Sequence, residues 1–421
     1  MRRSILVAAA ASVALVLGAC GSDAGETPTN EPTTDAAEAT DEAEETDDAP
    51  DPSGASLKIW VDENREAAVT AAVADFEAAT GTDVTVEVKN FDDIRADFIA
   101  QVPTGEGPDI TVGAHDWLGE FVSNGVVAPV ELGDRAGEFN ENAINAFNWE
   151  GQIYGMPYGI ESIALIRNLE LAPEAPATFD EMVEMGTEIG TEFPFVLQVG
   201  DEGDPYHMYP FQTAFGAPVF KSADDGSYTS ELGMGGEEGH AFAEWLSEQG
   251  AAGTLDTAVS GDIAKQQFID GNAPFIISGP WLIQDITGFD VAVSEIPSPG
   301  SNPAAPFAGV HGFYVSAQSQ NALVANDFLL NYIGTQEVQT ALYEAGNRIP
   351  ALTASADAIT GDPVAEGFVE AAATAQPMPS IPEMGSVWAF WGVTEAQIID
   401  GSEPIAAWDK MVSDIEAAIG Q

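Results

Sequence analysis

The sequence predicts an α/β fold made of two lobes, and three observations support this prediction. The chain has 421 residues, 45% of them hydrophobic, whereas a single hydrophobic core rarely grows beyond about 250–300 residues. Between residues 57 and 114, strand patterns alternate with helix patterns, which is typical of βαβ units in an open sheet. Polar side chains directly follow two of these strand patterns, at the edge where open α/β sheets bind ligands.

The first residues have the features of an export signal. "MRRS" is basic, and "ILVAAAASVALVLGAC" is an apolar run that ends in small residues, which predicts a secretory signal peptide over residues 1–19. The stretch "LGAC" resembles the lipobox of bacterial lipoproteins, and this resemblance implies a lipid on Cys20. The alternative is an ordinary cleaved signal with an incidental cysteine. Cys20 is the only cysteine in the chain, so no internal disulfide can form.

We predict that residues 20–54 are a lipidated cysteine followed by a disordered acidic tether. Residues 21–54 hold twelve acidic residues and no basic or aromatic residue, so they cannot bury enough apolar surface to offset their ordering entropy. We expect the tether to hold a body of residues 55–421 away from a membrane surface. The net charge of the chain is −57, which argues against nucleic acid as a partner, since phosphate binding requires Lys/Arg patches.

The body begins with three predicted strands and two predicted helices. "LKIWV" alternates as a strand, a helical pattern follows and ends at Gly81, and "DVTVEV" is the second strand. In this strand Val84, Val86 and Val88 share one face. "DDIRADFIAQ" predicts a short helix, and "ITV" predicts the third strand. Asp62 and Asp116 come directly after the first and third strands.

The rest of the chain continues the alternation. "YGMPYGIESIALIRN" predicts a turn and then a strand that crosses Glu161, and Thr178 is expected to cap a helix in a capping box with Glu181. "EEGHAFAEWLSEQG" and "IAKQQFIDGN" predict helices ended by glycine. "FIIS" predicts a buried strand before a Gly-Pro turn and Trp281. A strand and two helices follow from residue 312, and the part from residue 380 onward reads as helical.

Enzyme motifs are weakly supported. The chain has no Gly-x-Ser-x-Gly elbow and no catalytic thiol, and no phosphate loop. The histidines, at positions 115, 207, 240 and 311, lack metal-ligand spacing. We therefore predict no catalytic residue, no metal and no cofactor. A glycosidase pair of carboxylates stays open because the chain has 69 acidic residues, any two of which could form one.

Aromatic residues stand beside acids and amides at predicted strand ends and turns. Sugars need this mixture, because the apolar face of a pyranose stacks on a ring while its hydroxyls take hydrogen bonds from polar groups. Each aromatic residue alone is equally consistent with core packing, and each acid alone with a solvated surface. A cation such as a polyamine suits the same mixture through charge pairing and cation–π contact.

The body resembles the bacterial maltose/maltodextrin-binding proteins, the extracellular solute receptors of carbohydrate ABC importers. The similar blocks, in order, are "LKIWVDENRE", "GPDITVGAHDWLGEF", "YGMPYGIESIALIRN", "PATFDEM", "FIDGNAPFIISGPWLI", "PFAGV" and "MPSIPEMGSVWAFW". The resemblance implies a two-lobed type II periplasmic-binding-protein fold, with discontinuous lobes joined by a hinge and the ligand in the interlobe cleft. It places the N-lobe at about residues 55–160 and 313–358, and the C-lobe at about residues 163–307 and 366–421.

The resemblance also implies a set of ligand-binding residues from both lobes. They are Asp62, Asn64, Arg65, Asp116, Trp117, Glu161, Asp204, Tyr206, Trp281 and Trp388. The chain departs from the well-known maltose binder of that family, which has Trp in place of Gly113, Arg in place of Trp117, and Tyr and Arg in place of Ala389 and Gly392. Its Asn and Asp in the first cluster are exchanged here. Trp117 therefore either replaces an apolar wall or packs behind it.

The function implied by the resemblance is a lipid-anchored receptor at the extracellular face of the cell membrane, or a receptor in the periplasm. It would capture a maltose/maltodextrin-type oligosaccharide and deliver it to the permease subunits of an ABC importer, as a monomer and without chemistry. Two alternatives stay open. One is the same fold binding a polyamine or another cation, against which Arg65 in the cleft argues. The other is a secreted glycosidase, against which the tether and the fold resemblance argue.

Overall fold

The structure is a computed structural model that describes residues 54–223 and 228–420. The predicted signal peptide, Cys20 and the tether up to residue 53 lie outside the described residues. Within the described ranges, no helix is both long enough and apolar enough to span a membrane.

The strands of the described residues form two main sheets and two short ribbons. In chain order they are β1 (Ser56–Val61), β2 (Asp83–Val88), β3 (Ile110–Ala114), β4 (Val127–Ala128), β5 (Asn148–Trp149), β6 (Gln152–Ile153), β7 (Gly155–Glu161), β8 (Ala164–Asn168), β9 (Phe220–Ser222), β10 (Tyr228–Leu232), β11 (Phe275–Ser278), β12 (Val291–Ser294), β13 (Phe307–Ser316), β14 (Ile349–Pro350) and β15 (Gln376–Pro377).

The helices lie between these strands and after them. In chain order they are α1 (Glu63–Thr80), α2 (Phe91–Gln101), α3 (Leu118–Ser123), α4 (Glu141–Ala146), α5 (Phe179–Ile189), α6 (Pro205–Ala214), α7 (Gly236–Ala252), α8 (Gly261–Ile269), α9 (Ala322–Phe328), α10 (Gln336–Gly346), α11 (Thr353–Ala358), α12 (Pro363–Ala371), α13 (Met384–Ile399) and α14 (Pro404–Ile419). Two 3₁₀ turns, His115–Trp117 and Pro280–Asp285, also carry residues of the site.

The larger sheet is built from segments that are far apart in the sequence. Its strand order is β14-β7-β13-β3-β1-β2, and β4 and β15 also pair with β13. Strands β1, β2 and β3 are parallel, with Ile59 beside Val86 on one side and Ile110 on the other. Because β1 and β3 are parallel neighbours, the residues that follow them lie at the same edge of the sheet. The placement of Asp62 and Asp116 follows from this pairing.

The smaller sheet has the order β11-β8-β12, with antiparallel pairs. Strand β7 ends at Glu161 in the larger sheet, and β8 begins at Ala164 in the smaller one. The stretch that we predicted as one strand is therefore two strands in two sheets. The break at Ser162 and Ile163 is hidden in the sequence because both residues are buried and the apolar pattern continues across them. The protein has two lobes, each with its own sheet.

Local signals explain several element boundaries. Helix α1 ends at Gly81, which has φ 75° and donates its N–H to the Glu77 carbonyl, a conformation that glycine adopts without a steric penalty. The Thr178 hydroxyl accepts from the Glu181 N–H at 3.2 Å, but the Glu181 carboxylate accepts from Ala177 and not from Thr178. Val88 is 47% exposed because β2 lies at the edge of the sheet, so the predicted apolar face of this strand is only partly covered.

Candidate functional site

A cavity of about 630 Å³ lies at the carboxyl ends of the larger sheet's parallel strands. Nine of the ten predicted site residues line it, namely Asp62, Asn64, Asp116, Trp117, Glu161, Asp204, Tyr206, Trp281 and Trp388. The sequence did not single out the other lining residues, which include Phe91, Asp92, Arg95, Gln198, Glu202, His207, His311, Arg348 and Met378. The cavity wall thus draws on segments from residue 62 to residue 388.

Secondary structure explains how these side chains reach the cavity. Asp62 is the N-cap of α1, directly after β1, and Glu161 is the last residue of β7. Asp204 is the N-cap of α6. Trp281 lies in the 3₁₀ turn after β11, and Trp388 lies in α13. Strand ends and helix starts therefore deliver the polar groups, and a 3₁₀ turn and a helix deliver these two indoles.

Arg65 is the predicted site residue that does not line the cavity. Its side chain is buried and ion-paired with Asp62, one helical turn away. The guanidinium also donates to the Tyr158 hydroxyl, and its Nη2 lies 3.0 Å from His311 Nδ1. Arg65 turns inward because α1 begins at Glu63, which puts position 65 on the same side as the buried Ala68. Arg65 therefore positions Asp62 and His311, which line the cavity, without lining it itself.

A continuous chain of polar contacts joins several buried side chains, four of which line the cavity. We call this chain the floor network, and its members are Asp62, Arg65, His311, Glu161 and Arg348. His311 Nε2 lies 2.8 Å from Glu161 Oε1, and Arg348 Nε donates to Glu161 Oε2. Burial alone would raise the pKa of Glu161, but Arg348, His311 and Arg65 outweigh it and hold the pKa well below its usual range. Glu161 is therefore ionised and fully paired.

His311 is held in one tautomer. A guanidinium only donates, so Nδ1 accepts from Arg65 and Nε2 carries the hydrogen that is given to Glu161. Burial lowers the pKa of His311 to about 4, although Glu161 opposes this effect. The imidazole is neutral at pH 7. The floor network then contains two carboxylates, two guanidinium groups and one neutral ring, so its charges cancel.

The opposite part of the cavity, which we call the cavity end, is formed by Asp116, Arg95, Trp117 and Trp388. Asp116 Oδ2 accepts from Trp388 Nε1 at 3.3 Å, and Asp116 Oδ1 has no hydrogen-bond partner among the described residues. Burial raises the pKa of Asp116 to about 7, although Arg95 and Trp388 lower it. This region is incompletely hydrogen-bonded, and Asp62 Oδ1 in the floor network likewise has no partner among the described residues.

Trp117 forms part of the cavity wall at this end. A Cβ atom at Gly113 would lie 2.7 Å from Trp117 Cε3, so the indole occupies the space directly over this glycine. The ring is 7% exposed, and its centroid lies 5.0 Å from the Phe91 ring and 5.9 Å from the Phe121 ring. The structure thus places Trp117 in the wall as an apolar element that is backed by two phenylalanines.

A series of neighbouring aromatic rings lies along the cavity. Ring centroids lie 6.4 Å apart for Trp281 and Tyr206, 6.2 Å for Tyr206 and Phe307, and 6.3 Å for Phe307 and Trp388. We call Trp281, Tyr206 and Trp388 the aromatic wall, since Phe307 is fully buried behind them. The Arg348 guanidinium lies over the Trp281 ring at 5.3 Å, which fixes this indole against the floor network.

Asp204 positions a histidine that the sequence did not predict for the site. Its Oδ1 accepts from the backbone N–H of His207 at 3.1 Å and lies 3.0 Å from His207 Nδ1, and its Oδ2 accepts from Gln198. Burial would raise the pKa of Asp204, but His207 and Gln198 outweigh it and lower the pKa. Asp204 is thus engaged by its own helix, and part of its carboxylate is unavailable to a ligand.

Arg95, His311 and Arg348 carried no local signal of a binding role. His311 was considered only for metal-ligand spacing, and among the described residues no cluster of three or more metal-ligating side chains occurs. Arg348 precedes β14, which is too short to predict from the sequence. Their placement depends on strand pairing between residues that are far apart, such as Gly309 with Glu161.

Residues 71–371 match the bacterial extracellular solute-binding protein family. The chain belongs to this family. This solute-binding protein is 26% identical over 351 residues to the galactooligosaccharide-binding protein of Bacillus subtilis. The match covers 80% of this chain and 82% of the relative. It is 25% identical over 407 residues to the maltooligosaccharide ABC transporter solute-binding lipoprotein of Streptococcus pneumoniae. This match covers 92% of this chain and 90% of the relative.

A solved structure of Thermus thermophilus maltotriose binding protein bound with maltotriose is similar throughout the body. Its TM-score is 0.80 at 30% sequence identity, and the match covers 86% of this chain and 100% of that one. The predicted two-lobed type II fold of this solute-binding protein is therefore confirmed. The predicted lobe limits and the roles of individual site residues stay predictions.

Proposed function

We propose that this solute-binding protein captures a maltose/maltodextrin-type oligosaccharide in the cavity and delivers it unchanged to the permease subunits of an ABC importer. The observation that carries this proposal is the aromatic wall beside a set of carboxyl groups, of which Glu161 accepts from Tyr206 and Asp116 accepts from Trp388. The rings of Trp281, Tyr206 and Trp388 offer apolar surfaces along the length of the cavity. A row of pyranose rings presents apolar faces to such a wall and hydroxyls to the polar side.

The relatives support a sugar ligand. The Streptococcus pneumoniae relative is named for maltooligosaccharide and the Bacillus subtilis relative for galactooligosaccharide, and the Thermus thermophilus structure holds maltotriose. Two of these three names specify α-linked glucose oligosaccharides, which favours the maltodextrin class. None of these relatives is described as an enzyme, and we propose that this protein likewise performs no catalytic step.

The ion pairs of the floor network argue against a polyamine. Glu161 is ion-paired with Arg348, and Asp62 is ion-paired with Arg65. The raised pKa of Asp116 leaves this group partly protonated near pH 7. A polyamine needs ionised acids without cationic partners, and the floor network supplies none. A neutral sugar needs only hydrogen-bonding groups, which these residues keep.

We propose that capture closes the N-lobe (about residues 55–160 and 313–358) onto the C-lobe (about residues 163–307 and 366–421). Contacts between these segments cross the cavity. Gln284 donates to Asn64 at 3.1 Å, and Trp388 donates to Asp116. A ligand that touches both sides favours the closed form by the difference in its affinity for the two forms.

We also propose that a lipid on Cys20 holds the receptor at the outer face of the cell membrane as a monomer. The supporting observations are the "LGAC" stretch, the extracellular solute-binding family and the lipoprotein named among the relatives. Replacing Cys20 with Ser should release a folded, ligand-competent protein into the medium. A variant that stays in the membrane fraction would contradict the anchor.

The experiment that tests the sugar proposal is a thermal-shift screen with maltose, maltotriose, longer dextrins, galactooligosaccharide and spermidine. We expect the dextrins to raise the melting temperature, with a stabilisation of about 2.7 kcal/mol at 100 times the dissociation constant. The same incubations are followed by product analysis, and we expect no shortening of the dextrins. A shift with spermidine alone would support the cation alternative, and cleaved dextrins would support a glycosidase.

A further inference from the structure

Three arginines lie at or behind the cavity, and two of them are already occupied. Arg65 pairs with Asp62 and contacts His311, and Arg348 pairs with Glu161 and stacks on Trp281. Arg95 differs, because its nearest acidic group, Glu120 Oε2, lies 3.9 Å from its Nε. That distance is beyond a hydrogen bond. Arg95 makes no hydrogen bond to any described residue, although a guanidinium carries five N–H donors.

The position of Arg95 on α2 directs it to the cavity. Phe91, Asp92 and Arg95 line the cavity, at the spacing that puts residues on one face of a helix. Ile94 and Phe98 of the same helix are fully buried in the core, so α2 is fixed on its inner side. The Arg95 side chain is 30% exposed, and its ion pair with Glu120 is long, at 3.9 Å, so its N–H donors can be given to a bound molecule.

Arg95 belongs to the cavity end with Asp116 and Trp388. Its positive charge acts on the Asp116 carboxyl, and Asp116 in turn accepts from the Trp388 indole. Asp116 Oδ1 is a buried oxygen without a partner among the described residues, and a buried polar atom left unpaired is costly. A free donor group, an unpaired acceptor and an indole therefore meet at one end of the cavity.

We propose that Arg95 is a ligand-binding residue that, together with Asp116, holds neighbouring hydroxyls of a sugar ring stacked on Trp388. This inference rests on the proposed function. A vicinal diol offers both acceptor lone pairs and donor hydrogens, so it satisfies the guanidinium and the carboxyl at once. An anionic sugar fits less well, because Asp116, Glu120 and Asp92 surround Arg95 and would repel it.

The test is isothermal titration of maltotriose into the wild type and the variants Arg95→Gln and Arg95→Lys. We expect Arg95→Gln to weaken binding by at least about 10-fold, as loss of a charged hydrogen bond does, and Arg95→Lys to bind between the two. Lys410→Gln is the matched control, since it removes one positive charge from a side chain that is 73% exposed on α14. It should bind as the wild type does.

Thermal unfolding without ligand separates a binding role from a structural one. Because Arg95 makes no hydrogen bond to the described residues, the melting temperature of Arg95→Gln should stay within about 2 °C of the wild type. A wild type that binds maltotriose, with Arg95→Gln binding equally well, would overturn this inference alone. A wild type that binds no dextrin would overturn the proposed function, and this inference would fall with it. If a trisaccharide that ends in glucuronic acid bound more tightly than maltotriose, this would also contradict the proposal that Arg95 and Asp116 hold a neutral diol.

Discussion

The floor network and the cavity end use the same residue types in opposite ways. In the floor network, Arg65 and Arg348 are each bound to a carboxylate, and His311 links them. At the cavity end, Arg95 lies 3.9 Å from its nearest acid and Asp116 Oδ1 has no partner among the described residues. In the floor network, both oxygens of Glu161 and both guanidinium groups are paired without a ligand, although Asp62 Oδ1 has no partner among the described residues. At the cavity end, neither Arg95 nor Asp116 is hydrogen-bonded to an opposite charge among the described residues.

This difference teaches that an acid in a binding cavity need not be a ligand contact. Charged pairs that satisfy each other position the surrounding side chains, as Arg348 does by stacking on Trp281. Polar groups that the fold leaves unsatisfied are the ones a ligand can satisfy. The comparison predicts that changes in the floor network mainly reduce stability, and that changes at the cavity end mainly alter binding and pH dependence.

The largest effect is expected for Arg65→Met in the floor network. This change leaves Asp62 buried without its cation and removes the donor to His311. Losing one partner of a buried ion pair costs about 3–5 kcal/mol, so the urea midpoint should fall sharply at an unchanged slope. Lys410→Met, which breaks an exposed pair with Asp414, should cost about 0.5 kcal/mol or less. A loss below about 1 kcal/mol for Arg65→Met would show that the floor network is not structural.

A smaller, pH-dependent effect is expected for Asp116→Asn. The pKa of Asp116 is raised from 3.8 to about 7, so between these pH values the folded chain holds a proton that the unfolded chain has released. The contribution of Asp116 to stability therefore falls as pH rises through this window, by a few kcal/mol in total. Asparagine cannot ionise, so the variant should gain stability relative to the wild type between pH 4 and pH 8. Parallel stability curves for the two proteins would contradict a raised pKa.

The smallest effect is expected for Gly113→Ala in the wall of the cavity end. The new Cβ would lie 2.7 Å from the Trp117 ring and 3.0 Å from Tyr314 Cε2. Overpacking of this kind costs about 1–3 kcal/mol, and the displaced indole should also weaken maltotriose binding. Gly137→Ala is the matched control, because no atom lies within 4 Å of its new Cβ. If both variants unfold at the wild-type temperature, Trp117 does not depend on Gly113.

The sequence was sufficient to predict the fold class, and nine of the ten site residues that it named line the cavity. Asp62, Asp116 and Glu161 follow or end strands, and parallel strands bring such positions to one edge. Trp281 and Trp388 were found through the family resemblance, since their local patterns alone fit core packing equally well. Arg65 was expected in the cleft, but it lies behind it, because its rotation on α1 depends on where the helix begins.

The remaining site residues could not be predicted because long-range pairing places them. Arg348 reaches Glu161 through the pairing of β14 with β7, and β14 contains only Ile349 and Pro350. Arg95 carries no local sequence signal of a binding role, because only the packing of α2 beside the cavity brings it there. The division of β7 from β8 was also hidden, since buried residues continue across Ser162 and Ile163.

The most direct test of the central claim is the dissociation constant of maltotriose measured by titration at low salt and in about 1 M NaCl, where the Debye length is about 3 Å. A neutral sugar held by the aromatic wall and by hydrogen bonds has no net charge of its own to screen. We therefore predict micromolar or tighter binding that changes by less than about threefold between the two conditions. Spermidine, titrated in parallel, should not bind. The account would be contradicted if maltotriose did not bind and spermidine bound with an affinity that falls steeply in salt.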